Sequence, residues 1–323
     1  MIADPAPVRV AVGVLTDAAG RVLVARRAAG KPWAGYWEFP GGKQEAGESR
    51  LQALRRELHE ELGISVDSAT PLICLPPQPD TRPQVALEVW RVQNYRGEPV
   101  GLEGQELRWV DAAELDALDM PPANRVIRRA CRLPERYLIT PPDPMPLARL
   151  IDGLRCAVQQ GIGLIQVRRP HATIAELRAL AEAMAPARAA GDLILLLNAA
   201  PERARALGFD GVHLTGARLA SLDARPANLA WVGASCHDGA DLVRAAALEL
   251  DFAVLSPVRA TPGHAGVPPL GWRTWARQVR MARLPVYALG GMVETDLPRA
   301  RRLGGQGIAG IRGLWPTTRG DTP

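Results

Sequence analysis

The spacing of apolar positions changes partway along the chain. In the first part, "VRVAVGVLT" (residues 8–16) and "RVLVARR" (21–27) are dense in β-branched and apolar residues and read as strands. The intervening "DAAG" reads as the turn of a hairpin between them. A different period follows. Leu51, Leu54, Leu58 and Leu62 recur three and four apart, the stripe of an amphipathic helix. Ser49 is a good N-cap for it, Gln52 completes a capping box, and Gly63 supplies the left-handed stop. Further strands are predicted in "VALEVWRVQNY" (85–95) and "ELRWVD" (106–111), and a short helix in "PPANRVIRRACRL" (121–133). This is an α+β pattern.

From Tyr137 onward the rhythm is regular. "RYLIT", "LIQVRR", "LILLLN", "GVHL", "WVGASCH", "FAVLSPV", "PVYALGG" and "GIAGIRG" are eight short strand-like runs, most of them followed by helical stretches such as "TIAELRALAEAMAPARAAG" and "DGADLVRAAALEL". Strands alternating with helices imply a parallel sheet. Eight in this length suggest a (β/α)8 barrel with its last helix short or missing, an open doubly wound sheet being the alternative. The expected architecture is therefore α/β overall: an α+β sandwich over residues 1–133 and a barrel over 134–323, joined at "RLPER" (132–136). That joint lacks the Gly/Ser content of a flexible tether.

Composition narrows the function classes. Of 323 residues 47% are hydrophobic and 23% charged, ordinary for a globular protein, and no apolar run reaches the ~18–20 residues of a membrane span. The first residues lack the basic start, apolar core and cleavage site of a signal peptide. Cys74, Cys131, Cys156 and Cys236 show no CxxC spacing, which argues against a disulfide framework or zinc site and for a reducing cytoplasm. The charge is uneven: 17 basic against 18 acidic residues in 1–133, but 22 against 16 in 134–323. The only lysines are Lys31 and Lys43, so the second half has no lysine for Schiff-base chemistry. Scattered arginines with few aromatics make a poor nucleic-acid signature, and neither nucleic acid nor membrane is expected as a partner.

The acidic helix carries the clearest chemistry. Glu57, Glu60 and Glu61 share an arc beside the leucine stripe. Converging carboxylates raise one another's pKa and destabilise a helix unless cations neutralise them. Hard oxygen ligands of this kind suit Mg²⁺, which pairs one or two carboxylates with substrate phosphates and waters. The Gly41-Gly42 doublet lets the backbone approach the same ions and phosphates. On the glutamates alone, a solvated helix with Glu/Arg pairs through Arg55 and Arg56 stays equally open.

The full spacing settles more. Gly42, Glu48, Arg56-Glu57, Leu58, Glu60-Glu61, Gly63 and Ile64 fill every position of the Nudix box. Residues 8–132 resemble the MutT branch of the Nudix hydrolases, through "RRAAGKPWAGYWEFPGG" before the box, "GLEGQELRWV" and "MPPANRVI" after it. The resemblance implies catalysis by Arg56, Glu57, Glu60 and Glu61, and Mg²⁺ (or Mn²⁺) held by Gly41, Glu57, Glu60, Glu61 and Glu103. It places nucleotide contacts at Arg27, Glu38, Phe39, Pro40, Gly41 and Asn124, with Asn124 reading the purine edge and Phe39 against the ring. Arg56 would hold the carboxylates in place by pairing with Glu48. Pro32 departs from the branch, standing where a polar side chain can occur. The implied reaction is hydrolysis of a nucleoside triphosphate, 8-oxo-dGTP above all, to the monophosphate and pyrophosphate, a reaction that cleans the nucleotide pool and avoids replication errors.

Residues 136–315 resemble the thiamine-phosphate synthase and thiazole tautomerase family, through "GIGLIQVRRP", "GFDGVHL", "GASCH", "LSPVRATPGHAGVPPLGW", "ALGGM" and "GIAGIRG". The resemblance implies a phosphate-ligand site from Gln166, Arg168, Asn198, His237, Gly290, Gly291 and Arg312, suited to a phosphorylated thiazole. Where synthases of the family place two metal-binding aspartates and a lysine, this chain has Ala199, Arg218 and Pro170. Without the carboxylates nothing neutralises a departing pyrophosphate, so a binding module, or a tautomerase-like one using His237, is expected rather than a synthase. The competing reading makes the barrel the principal module and the Nudix half a hydrolase of thiamine-related or other diphosphates.

Overall fold

The computed structural model describes residues 7–30, 32–77, 84–142, 144–261, 266 and 268–316. Lys31 and residues 262–265 and 267 of the "LSPVRATPGHAGVPPLGW" stretch lie outside the described residues. The chain divides into two compact units between Arg132 and Leu133. Leu133 goes with the second because its side chain is buried among Tyr137, Phe252 and Tyr287.

In the first unit, β1 (Val8–Leu15), β4 (Gly41–Lys43), β5 (Ser65–Leu75) and β6 (Val85–Arg96) form a sheet in the order β4-β1-β6-β5. The β1–β6 pair is parallel; β1–β4 and β5–β6 are antiparallel. A second sheet, β3-β2-β7, uses β2 (Val22–Arg26), β3 (Trp37–Glu38) and β7 (Leu107–Val110). The two long helices are α1 (Arg50–Leu62) and α2 (Pro122–Arg132). Alternation along β1 serves both: Ala11 and Leu15 pack with Leu54, Leu58 and Leu62 of α1, whereas Val12 and Val14 pack with Ile127 and Ala130 of α2. Each fully buried leucine of α1 contributes about 1.5–3 kcal/mol over exposure. Close approach of α1 needs Gly13, where a Cβ would stand 2.8 Å from Leu58 Cδ1.

Two local expectations change. "DAAG" does reverse the chain, with the Asp17 amide donating to Arg21 O at 3.0 Å. Beyond one bridge at Thr16–Val22, however, β1 and β2 part into different sheets. Strand β5 was not expected. It is an edge strand whose register slips at Val66/Ser68, Ser68/Ala69 and Pro71/Ile73. Bulges and an internal proline, tolerated at an edge, erase the alternation that marks a strand.

The second unit is a closed parallel barrel of eight strands: β8 (Arg136–Ile139), β9 (Leu164–Val167), β10 (Ile194–Leu197), β11 (Gly211–Leu214), β12 (Trp231–Cys236), β13 (Phe252–Leu255), β14 (Val286–Ala288) and β15 (Gly307–Gly310). Pairing of β15 with β8 closes it and removes the open-sheet alternative. Between the strands run α3 (Leu147–Gln159), α4 (Ile174–Ala183), α5 (Ala185–Ala189), α6 (Pro201–Ala206), α7 (Gly216–Ser221), α8 (Gly239–Ala247), α9 (Gly271–Val279) and α10 (Leu297–Arg302). After β15 the described chain makes only a short 3-10 turn, Arg312–Leu314. Along β13, Phe252 and Val254 pack with Tyr137 and Tyr287 in one cluster while Ala253 and Leu255 pack in the large cluster with the helices. Edge-on contacts of Phe252 with Tyr137 (5.4 Å) and Tyr287 (5.5 Å) plug the barrel interior. Among the described residues no helix is long and apolar enough to cross a membrane.

Candidate functional site

On the first unit the site is built by α1 and the glycine strand β4. Ser49 Oγ accepts from the Gln52 amide at 3.3 Å, Gln52 Oε1 accepts from the Ser49 amide at 2.8 Å, and Gly63 closes the helix at φ 70°. These caps fix the register in which the acidic arc faces β4. Leu51 is only partly buried, at the margin of the stripe.

Arg56 organises the arc. Its Nε and Nη2 donate to the two Glu48 carboxylate oxygens at 2.8 and 3.0 Å. Nη2 also donates to Lys43 O at 2.8 Å, and Nη1 to Glu57 Oε1 and Glu60 Oε2, both at 3.0 Å. The paired guanidinium holds Glu48 down at about 2. Burial instead raises Glu57 above the ordinary carboxylate range. Glu61 is pushed up to about 7, first by burial and then by the charges of Glu103, Glu57 and Glu38, against the Gly41 amide that donates to its Oε2 at 2.9 Å. A Cβ on Gly42 would lie 2.1 Å from Glu57 Oε2, and one on Gly41, at φ 141°, 2.1 Å from Ala11 O. Both glycines are needed for that fit.

The carboxylates are neighbours without meeting at one point. Among the described residues no three His, Cys, Asp or Glu side chains form a group that could hold a metal by themselves. Like charges spread here: Glu57 and Glu60 take Arg56, and Glu61 takes the Gly41 amide. An all-oxygen donor set with two to four carboxylates at hand still fits Mg²⁺, which completes its shell with phosphate oxygens and waters.

The expected nucleotide contacts cluster beside this arc. Arg27 pairs with Glu38 and its Nε donates to Pro32 O at 2.8 Å. Asn124 is 8% exposed and lies inside the first turn of α2, past the cap position, so it does not cap that helix. Its Oδ1 takes a long 3.5 Å bond from the Phe39 amide, leaving the amide NH₂ uncommitted to that contact. The Phe39 ring is 3% exposed and packs in the core with Val12, Val24 and Ile127, so in this fold the ring is a core element and not an open stacking face. Pro40 O accepts from the Gly13 amide at 2.8 Å, which ties the segment to β1.

In the second unit the strand ends open on a cavity of about 750 Å³. It is lined by all seven expected residues: Gln166, Arg168, Asn198, His237, Gly290, Gly291 and Arg312. Pro170 is also at the wall, while Ala199 and Arg218 are not, and among the described residues no Asp or Glu lines it. His237 Nδ1 lies 3.1 Å from Ser256 O, and a carbonyl only accepts. In the neutral ring the proton is therefore on Nδ1.

Sequence reasoning missed the polar network at the cavity floor. Gln166 Nε2 donates to Tyr137 Oη at 2.9 Å, Tyr137 Oη lies 3.0 Å from His213 Nδ1, and His213 Nε2 lies 2.9 Å from Ser235 Oγ. Burial, with Arg168 nearby, lowers His213 to about 3, so it stays neutral. With Gln166 donating to its oxygen, the Tyr137 O–H donates to Nδ1 of the neutral ring, and Nε2–H donates to Ser235 Oγ. Reading which side chains sit at the C-terminal ends of the strands would have found His213 and Ser235.

An acidic capped helix against a glycine strand, and a closed parallel barrel with its cavity at the strand ends, define a chain of two units, a mixed α/β sheet domain and an eight-stranded parallel barrel. The chain belongs to the NUDIX domain family over residues 6–131 and to the thiamine monophosphate synthase family over residues 136–314. Over 127 residues it is 40% identical to the 8-oxo-dGTP diphosphatase of Escherichia coli (strain K12), covering 39% of this chain and 97% of that protein. Over 169 residues it is 30% identical to the thiamine-phosphate synthase of Synechococcus sp. (strain WH7803), covering 51% of this chain and 48% of that protein. Among solved structures it is similar to a thiamine phosphate pyrophosphorylase from Pyrococcus furiosus, at 21% identity and TM-score 0.44, covering 59% of this chain and 88% of that one. The first unit is thus a Nudix hydrolase domain and the second a thiamine-phosphate synthase-like barrel.

Proposed function

We propose that the Nudix domain hydrolyses 8-oxo-dGTP to 8-oxo-dGMP and pyrophosphate, with a divalent cation, Mg²⁺ or Mn²⁺, as cofactor. The observation that carries this reading is the arc itself: Arg56 bound to Glu48, Glu57 and Glu60, beside a Glu61 whose proton affinity is raised to about 7. Such a cluster is costly unless positive charge meets it, and a polyphosphate brings its cation along. Glu57, Glu60, Glu61 and Glu103, with the Gly41 backbone, would hold the metal, which supplies charge neutralisation at the phosphates and an acidified water. The chain's own part is orientation. Arg56 fixes Glu57 and Glu60, the Gly41 amide fixes Glu61, and a carboxylate of the arc takes the proton of the attacking water. Arg27, Glu38 and the Phe39–Gly41 backbone would flank the nucleotide, and Asn124 offers a donor and an acceptor to the purine edge. The near relative named as an 8-oxo-dGTP diphosphatase supports this substrate.

For the barrel we propose binding of a phosphorylated thiazole-type ligand without thiamine phosphate synthesis. A cavity with Arg168 and Arg312 and, among the described residues, no lining carboxylate suits a phosphate ester better than the metal-bound diphosphate of a synthase substrate. His237, at the cavity wall, is the group that would move a proton there.

Glu60→Gln tests the hydrolase reading. Glu60 is exposed and, among the described residues, its side chain makes only the i,i+4 pair with Arg56, so the variant should fold normally and lose Mg²⁺-dependent pyrophosphate release. Full activity would remove the metal platform.

A further inference from the structure

The turn after β14 is held from behind by a charged clamp. Gly290 and Gly291 have φ of 111° and 67°. A Cβ on Gly290 would lie 2.8 Å from the Val258 amide nitrogen, so the two backbones are in direct contact. Three consecutive carbonyls of the turn face the Val258–Arg259 segment. Leu289 O accepts from the Val258 amide at 2.8 Å, Gly290 O from the Arg259 amide at 3.3 Å, and Gly291 O from Arg259 Nη1 at 2.9 Å. The same guanidinium makes a two-pronged pair with Asp296, Nη1 to Oδ2 at 2.8 Å and Nη2 to Oδ1 at 2.6 Å. Asp296 is 7% exposed and its Oδ2 also accepts from the Val293 amide at 3.1 Å.

In a trans peptide the N–H points opposite to the C=O of the preceding residue. Turning the carbonyls of 289, 290 and 291 toward Arg259 therefore turns the amides of Gly290, Gly291 and Met292 away from it. Those amides donate to no acceptor among the described residues, and all three residues line the cavity. Successive free amides of this kind make an anion-binding concavity. We propose that Arg259, locked by Asp296, is a positioning residue that sets the peptide planes of the Gly290–Met292 turn for a phosphate group; this rests on the phosphate-ligand reading of the barrel. Arg259 itself is not among the cavity-lining residues, so it acts through the turn.

The test uses the full chain in EDTA, with inorganic phosphate as the probe. Hydrogen exchange of the peptide covering residues 286–293 reports binding at the turn as phosphate is titrated. Wild type should gain protection. Arg259→Ala should shift the midpoint upward about tenfold, the scale of a lost charge-assisted hydrogen bond. Asp296→Asn is isosteric and carries the test where the alanine variant does not fold. Charge alone would make phosphate bind tighter to Asp296→Asn, because a carboxylate is removed; positioning makes it bind more weakly. Unchanged or tighter binding in Asp296→Asn, with wild-type binding intact, overturns the clamp while the cavity reading stands. No phosphate-dependent protection in wild type overturns both.

Discussion

Replacing Glu61 by glutamine should stabilise the metal-free protein while ending its use of metal. Burial and the neighbouring Glu103, Glu57 and Glu38 raise Glu61 from the ordinary 4.5 to about 7. A carboxyl raised on folding favours the protonated folded state. Below about pH 4 both states hold the proton and the group costs nothing. Between pH 4.5 and 7 the unfolded chain releases it first, so stability falls as pH rises, and above pH 7 the full cost applies. At about 1.4 kcal/mol per pH unit the cost is on the order of 3 kcal/mol. Glutamine is neutral throughout and keeps an oxygen for the Gly41 amide. Scanning calorimetry of wild type and Glu61→Gln, without metal, should show no difference near pH 4. Near pH 8 the variant's first-unit transition should lie roughly 10 °C higher. Added Mg²⁺ should then raise the wild-type transition and leave the variant's unchanged. A variant destabilised at pH 8, or one shifted equally at both pH values, would refute the reasoning.

Asn124→Ala should lose most preference for 8-oxo-dGTP over dGTP, because a site built to hydrogen-bond a substrate loses discrimination with that partner. Its stability cost should be small, about 1 kcal/mol, since the bond Asn124 Oδ1 accepts from the Phe39 amide is long at 3.5 Å; equal rate losses on both nucleotides would put Asn124 in the scaffold. For the barrel, expression in a strain lacking thiamine-phosphate synthase should give no growth without added thiamine, and growth would show that pyrophosphate departs without the aspartates that Ala199 and Arg218 replace.

The parts legible beforehand were those with local cause. Helix α1 needs only Ser49, Gln52, Gly63 and its leucines, all within one short window, and each behaves as its residue type dictates. The eight barrel strands were equally legible because each is a short apolar run flanked by turn residues. Strand β5 was not, since its pairing to β6 depends on bulges that no spacing rule encodes. The separation of β1 from β2 escaped for a related reason: a turn's residues specify reversal, not which sheet each arm joins. Of the sites, the arc on α1 was visible as spacing. The burial of the Phe39 ring, the floor network from Gln166 to Ser235 and the Arg259–Asp296 clamp were not, because each joins residues far apart in the chain that only the closed folds bring together.

The central claim is that the Nudix domain selects an oxidised purine nucleoside triphosphate, and a substrate panel on the intact chain tests it most directly. Pyrophosphate or phosphate release would be followed with 8-oxo-dGTP, dGTP, the pyrimidine triphosphates and thiamine diphosphate, with and without Mg²⁺. The account predicts Mg²⁺-dependent release of pyrophosphate, fastest at low concentrations of 8-oxo-dGTP and far slower with dGTP at the same concentration. Preference for thiamine diphosphate or a pyrimidine nucleotide over 8-oxo-dGTP would contradict it.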